Sequence, residues 1–94
     1  MDLSTALGLI KTRMNRLAAD TSMDLYYERR AQAAEQELER SGIHLLTDSA
    51  DDLMLLVDLT VWQIQNRDKP GGYPDWLRMR IRNRWLQEQR GQDA

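Results

Sequence analysis

The sequence predicts an all-α protein: a small bundle of about four helices with short connections, completed by oligomerisation. Three observations predict it. Four stretches repeat their apolar residues at spacings of three and four, and breaks rich in Gly, Pro, Asp or Ser separate them. The third of these stretches is apolar nearly all round, more than three short neighbours would be expected to cover. The 94 residues read as one domain, 1–94, with no internal repeat and no linker long enough to split it. A chain of 11.0 kDa folds to roughly 5,600 Å² of accessible surface, enough for one modest core.

The first helix is expected over Leu3 to Ala19. Leu3, Leu7, Ile10, Met14 and Leu17 make one stripe, with Asp2 as its N-cap. Asp20 to Ser22 form a break, where Thr21 and Asp24 have the spacing of a weak capping box. The second helix runs from there to about Ser41. Its inward stripe is Tyr27, Ala31, Ala34 and Leu38, and the small side chains of Ala31, Ala33 and Ala34 invite close helix approach. Gly42 stops it: counted back from a left-handed Gly42, Leu38 and Ile43 become the apolar pair of a Schellman motif.

After Gly42 to Thr47, the residues Asp48, Ser49, Asp51 and Asp52 crowd a helix start, where capping and the helix dipole favour them. The third helix carries Leu53, Met54, Leu55, Leu56, Val57, Leu59, Val61, Trp62 and Ile64. Its acid, Asp58, must find a wet side or a guanidinium, the candidates being the C-terminal arginines of this chain or of another copy. The breaker Lys69-Pro70-Gly71-Gly72 follows, and Pro74 suits the first position of a fourth helix. Residues 77–85 alternate apolar with Arg, which also fits a strand. Helix is preferred over Asp75 to Arg90 because Leu77, Ile81 and Trp85 form an i, i+4, i+8 row and Ile81 is the one β-branched residue among them.

The composition excludes most chemistry. Without Cys there is no disulfide framework, thiolate metal site or cysteine nucleophile, and one His rules out a multi-histidine metal site. His44 reads as a loop histidine, the acids at 48–52 as helix caps, and Gly71-Gly72 lacks the surroundings of a phosphate loop. No catalytic residue, metal ligand or cofactor is assigned, and an enzyme is not expected. Met1 to Ile10 does not look like a leader, and the longest apolar run, Leu53 to Val57, is far too short to span a membrane.

Charge is distributed unevenly. Residues 1–66 hold six basic and eleven acidic side chains, residues 67–90 seven basic and three acidic, within a net charge of −2. A basic last helix can read DNA, but the break before it is longer than a helix-turn-helix allows. Opposite charges at the two ends favour head-to-tail contact between copies. Trp62, Trp76 and Trp85 lie in the same half as most arginines, and both residue types anchor interfaces. The plainer alternative is a solvated arginine face over a tryptophan-filled monomer core. The candidate subunit or partner interface comprises Asp58, Trp62, Arg67, Trp76, Arg78, Arg80, Arg82 and Arg84.

The Ala-rich helix ending Glu39-Arg40-Ser41-Gly42 resembles the head–tail connector (adaptor) proteins of long-tailed bacteriophages and prophages. So does Leu59-Thr60-Val61-Trp62-Gln63-Ile64-Gln65-Asn66-Arg67, followed by a Gly/Pro loop and a helix led by Pro74-Asp75-Trp76-Leu77. The resemblance covers roughly Leu17 to Leu86; the short N-terminal half leaves little for a peripheral domain. It implies a non-enzymatic ring of about a dozen copies in the virion neck, assembled in the bacterial cytoplasm. The implied partners are the portal above and a further neck or tail protein below, with DNA passing through the channel unbound and no membrane contact. Two other classes remain: a small DNA-binding or packaging accessory protein using Arg78, Arg80, Arg82 and Arg84 on phosphates, and a small dimeric bundle that regulates another protein.

Overall fold

The computed structural model describes residues 1–67 and 72–93, with side chains as far as Gly91. Every regular element among them is a helix: α1 (Leu3–Arg13), α2 (Asp24–Arg40), α3 (Ala50–Gln65) and α4 (Asp75–Asp93). Residues 77–85 are therefore helical, and the alternation of Leu, Met and Ile with Arg does not mark a strand. The Lys69-Pro70-Gly71 breaker lies outside the described residues.

Helix α1 starts as expected, with an Asp2 carboxylate oxygen accepting from the Ser4 amide at 3.0 Å. It stops at Arg13, six residues earlier than the apolar spacing implies. Asn15 takes the left-handed conformation (φ 59°), and the Arg16 amide donates back to the Lys11 carbonyl at 2.8 Å, a Schellman closure built on Asn rather than Gly. Leu17 thereby leaves the stripe and is 78% exposed. The segment beyond is pinned by the buried Lys11 ammonium, which donates to the Ala18 carbonyl at 2.9 Å and pairs with Asp24 at 3.0 Å.

The Thr21–Asp24 capping box does not form. Asp20 instead accepts from the Ser22 amide at 3.0 Å, and Met23 precedes α2 without a side-chain cap. The inward stripe of α2 is the expected one: Tyr27, Ala31, Ala34 and Leu38 are all buried, while Ala33 faces solvent and takes no part in close packing. Its stop is also the expected one. Gly42 has φ 95°, the Ile43 amide donates to the Leu38 carbonyl at 2.9 Å, and both apolar partners are buried. A Cβ at Gly42 would meet Trp85 Nε1 at 3.5 Å, an ordinary contact, so backbone strain alone sets the cost of a side chain there. Gly42→Ala is expected to lose about 1–2 kcal/mol, read as a lower urea midpoint.

Helix α3 packs against all three other helices. Leu55, Leu56, Val57, Leu59 and Val61 are buried within the chain, Leu53, Trp62 and Ile64 are partly covered, and Met54 is left exposed. The expectation that three helices could not cover α3 is thus not met. The under-covered helix is α4, which among the described residues packs on no helix but α3 and buries Leu77 as its one core side chain. Pro74 sits one place before α4, its carbonyl accepting from the Arg78 amide at 2.9 Å. The molecule is flat, 45 × 32 × 19 Å, and its surface of 6226 Å² exceeds the size-based expectation. No helix among the described residues is long and apolar enough to cross a membrane.

Candidate functional site

Helix α4 has two sides with different work. At ~100° per residue, Leu77, Arg80, Ile81, Arg84 and Glu88 fall on one side, and Asp75, Met79, Arg82 and Leu86 on the opposite one. Because α4 meets only α3, the first side binds it to the domain and the second is left to solvent.

The inward side is held by two guanidinium clamps. Arg84 forks onto Asp52, with Nε–Oδ1 at 2.9 Å and Nη2–Oδ2 at 3.2 Å; their side chains are only 11% and 6% exposed. Arg84 also donates to the His44 carbonyl at 2.8 Å and to Glu88 at 3.0 Å. Glu88 in turn lies 2.6 Å from His44 Nδ1, and Asp52 accepts from the Leu46 amide at 2.8 Å. Asp52 is thus not simply a helix cap. Ser49 does the capping, its Oγ accepting from the Asp52 amide at 3.1 Å, while the Asp52 carboxylate turns inward to tie the 42–47 connection to α4. His44 is a loop histidine, as expected, but a bonded one.

In the second clamp, Arg80 from α4 and Arg13 from α1 both donate to Asp58. The expected C-terminal arginine partner is found within the chain. Arg80 pairs with residue 58 and Arg84 with residue 52, so α3 and α4 run antiparallel. Burial alone would raise the Asp58 pKa, but the hydrogen bonds from Arg80 and Arg13 outweigh it and hold the carboxyl below its ordinary 3.8. Glu88 is lowered from 4.5, first by its hydrogen bond to His44 and then by Arg84. A carboxylate with a depressed folded pKa stabilises the fold fully above its unfolded pKa, and that contribution disappears as pH falls through the folded value. Stability is therefore expected to hold from neutrality down to about pH 5 and then to fall. Asp58→Asn should flatten part of that acid limb in urea titrations run at a series of pH values.

The other expected interface residues are scattered. Trp62 is half-buried, packing edge-on against Tyr73 with ring centroids 4.9 Å apart. Tyr73 donates to Glu37 at 2.9 Å, closing the top of α2 onto the segment before α4. Arg67 is exposed and donates to the Tyr26 hydroxyl at 3.3 Å. Arg78 pairs with Asp75 one turn earlier. The four arginines 78, 80, 82 and 84 do not form one patch, since Arg80 and Arg84 are spent inward while Arg78 and Arg82 are exposed.

The outward side is where unsatisfied surface collects. Met79 is 62% and Leu86 37% exposed there, with Arg82 exposed between them and Trp76, 50% exposed, on one flank. Arg13, His44, Asp52 and Glu88 were not anticipated as members of the network. The i, i+4 spacing of Arg84 and Glu88 was the one visible hint. Among the described residues no group of three or more His, Cys, Asp or Glu is placed to hold a metal ion. Comparison with protein-family models, curated proteins and solved structures finds no match for this chain. The class that fold and surface define is a small all-helical domain with one apolar, arginine-bearing helix face turned outward.

Proposed function

We propose that this protein is a structural head–tail connector of a long-tailed phage or prophage, forming a ring of about a dozen copies beneath the portal. Such a ring extends the DNA channel and offers a docking surface to the next neck or tail component. The observation that carries the reading is the outward side of α4. Trp76, Met79, Leu86 and Arg82 are exposed together on a helix that only one neighbour holds. Large apolar and arginine side chains gathered at an edge belong to an interface more than to a monomer surface. The order of four helices and the Gly42 stop, two of the features on which the resemblance was drawn, support this reading.

The DNA-binding alternative is weakened by the same geometry. Two of its four arginines, Arg80 and Arg84, are tied to Asp58 and Asp52 and cannot reach phosphates without breaking those pairs. The test is binding to an isolated phage portal, followed by electron microscopy of the mixture. The connector reading expects a ring of added density on one portal face, lost in a Trp76→Ala/Met79→Ala variant that still folds. Salt-dependent binding to duplex DNA with no affinity for portal would contradict it.

A further inference from the structure

A groove of about 460 Å³ lies where the end of α1, the start of α2 and the end of α3 meet. Met14, Met23 and Ile64 are its half-buried apolar walls. Tyr27, 2% exposed, is its most buried member and stands beside the half-buried Tyr26. Arg16 and Arg67 are exposed at the rim. An apolar centre inside a polar rim is the anatomy of a protein contact. The groove shares no residue with the outward side of α4.

Its phenols and guanidinia are all donors. The Tyr26 and Tyr27 ring centroids are 6.0 Å apart. Arg67 donates to the Tyr26 hydroxyl at 3.3 Å. The Tyr27 hydroxyl, ahead of Asp20, raises the Arg16 pKa by accepting from its guanidinium. An arginine has no acceptor to offer in return. Each phenol therefore keeps its own proton, and among the described residues neither proton meets an acceptor. Asp20 does not fill that role: it reaches Arg16 only at 3.4 Å and already accepts from the Ser22 amide and hydroxyl. None of the described groove residues is acidic. The group that answers such a set is an ionised carboxylate, which only accepts.

We infer that this groove receives an acidic segment of a partner protein, its carboxylate taken by the Tyr26 and Tyr27 hydroxyls and the Arg16 guanidinium, with a neighbouring apolar side chain against Met14 and Met23. Arg67 serves by holding the Tyr26 hydroxyl so that its proton is left for the carboxylate. Methionines suit the contact because their unbranched side chains adapt to the shape they meet. A nucleic-acid backbone is the poorer occupant: it brings charge without the apolar side chain, and a chain of net charge −2 does not attract a polyanion. The inference goes beyond the ring reading and does not depend on it, so its failure leaves that reading standing.

A matched pair of peptides tests it. Acetyl-Leu-Glu-Leu-amide, and acetyl-Leu-Gln-Leu-amide as its uncharged counterpart, are titrated into the full chain with isotope-labelled methionine methyl groups read by NMR. Met14 and Met23 report on the groove, while Met54 and Met79, exposed and not part of its lining, serve as references. The Glu peptide is expected to shift Met14 and Met23 alone and to bind at least about tenfold more tightly than the Gln peptide. Tyr26→Phe/Tyr27→Phe keeps both rings and removes both protons. With its fold confirmed by circular dichroism, it should bind the Glu peptide about tenfold more weakly, and so should Arg16→Gln. Equal affinity for the two peptides, an affinity that the Phe variant leaves unchanged, or no shift at Met14 and Met23 up to about 10 mM peptide each overturns the inference. A duplex oligonucleotide that moves the same methyl groups more strongly than the Glu peptide overturns it too, in favour of a phosphate site.

Discussion

Asp52→Ala should cost about 3–5 kcal/mol, a large part of the roughly 5–15 kcal/mol that holds a domain folded. The reason is what the substitution leaves behind. Arg84 is largely buried, its side chain 11% exposed, and cannot be neutralised, so losing its bidentate partner strands a guanidinium with Glu88 and the His44 carbonyl as its remaining acceptors. The Leu46 amide loses its acceptor at the same stroke. Asp52→Asn keeps the shape and one acceptor oxygen but removes the charge, and should fall between wild type and alanine. Urea denaturation gives both values. A double-mutant cycle with Arg84→Met isolates the pair, since the two losses should not add. If Asp52→Ala unfolded at the wild-type urea concentration, the clamp would have no structural weight.

Leu77→Ala is the second large loss, about 2–5 kcal/mol, because Leu77 is the one completely buried side chain of α4 among the described residues. The loss should also be local. Helix α4 rests on α3 alone, so its amides should exchange with solvent faster than those of α1–α3 at denaturant concentrations that leave the rest folded. Met79→Ala, on the outward side of the same helix, should change stability by no more than about 0.5 kcal/mol. That contrast separates the side of α4 that holds the fold from the side available for assembly. Equal losses at both positions would remove the distinction.

Local features of the fold were legible in the sequence. The Schellman stop at Gly42 depends on residues within a few positions of one another, and Leu38, Gly42 and Ile43 behave as their spacing implies. Asp58 was legible for a different reason: a carboxylate inside an apolar helix must find water or a guanidinium, and the structure supplies two guanidinia. What distance in sequence hides was not legible. Arg13 reaches Asp58 from 45 residues away, and nothing near Arg13 marks it apart from other exposed arginines. The end of α1 misled because the apolar spacing continues through Leu17, while Asn15 can equally stay helical or turn left-handed. Asp52 misled because three aspartates at one helix start look alike, and only tertiary packing selects the one that turns inward. The same limit applies to the arginine row. Alternation along 78–84 is plain in the sequence, but the division into committed Arg80 and Arg84 and exposed Arg78 and Arg82 follows from where α3 lies.

That division moves the case for assembly from α3 to α4. Helix α3 is covered by its own chain, so the third helix no longer calls for a partner. The proposed assembly rests instead on the outward side of α4. Native mass measured across concentration, with the chain alone and with phage portal, tests this most directly. Multimers of many subunits, alone or on the portal, are expected, and they should disappear when Trp76 and Met79 are replaced by alanine. A single small mass that neither concentration nor portal changes would contradict it.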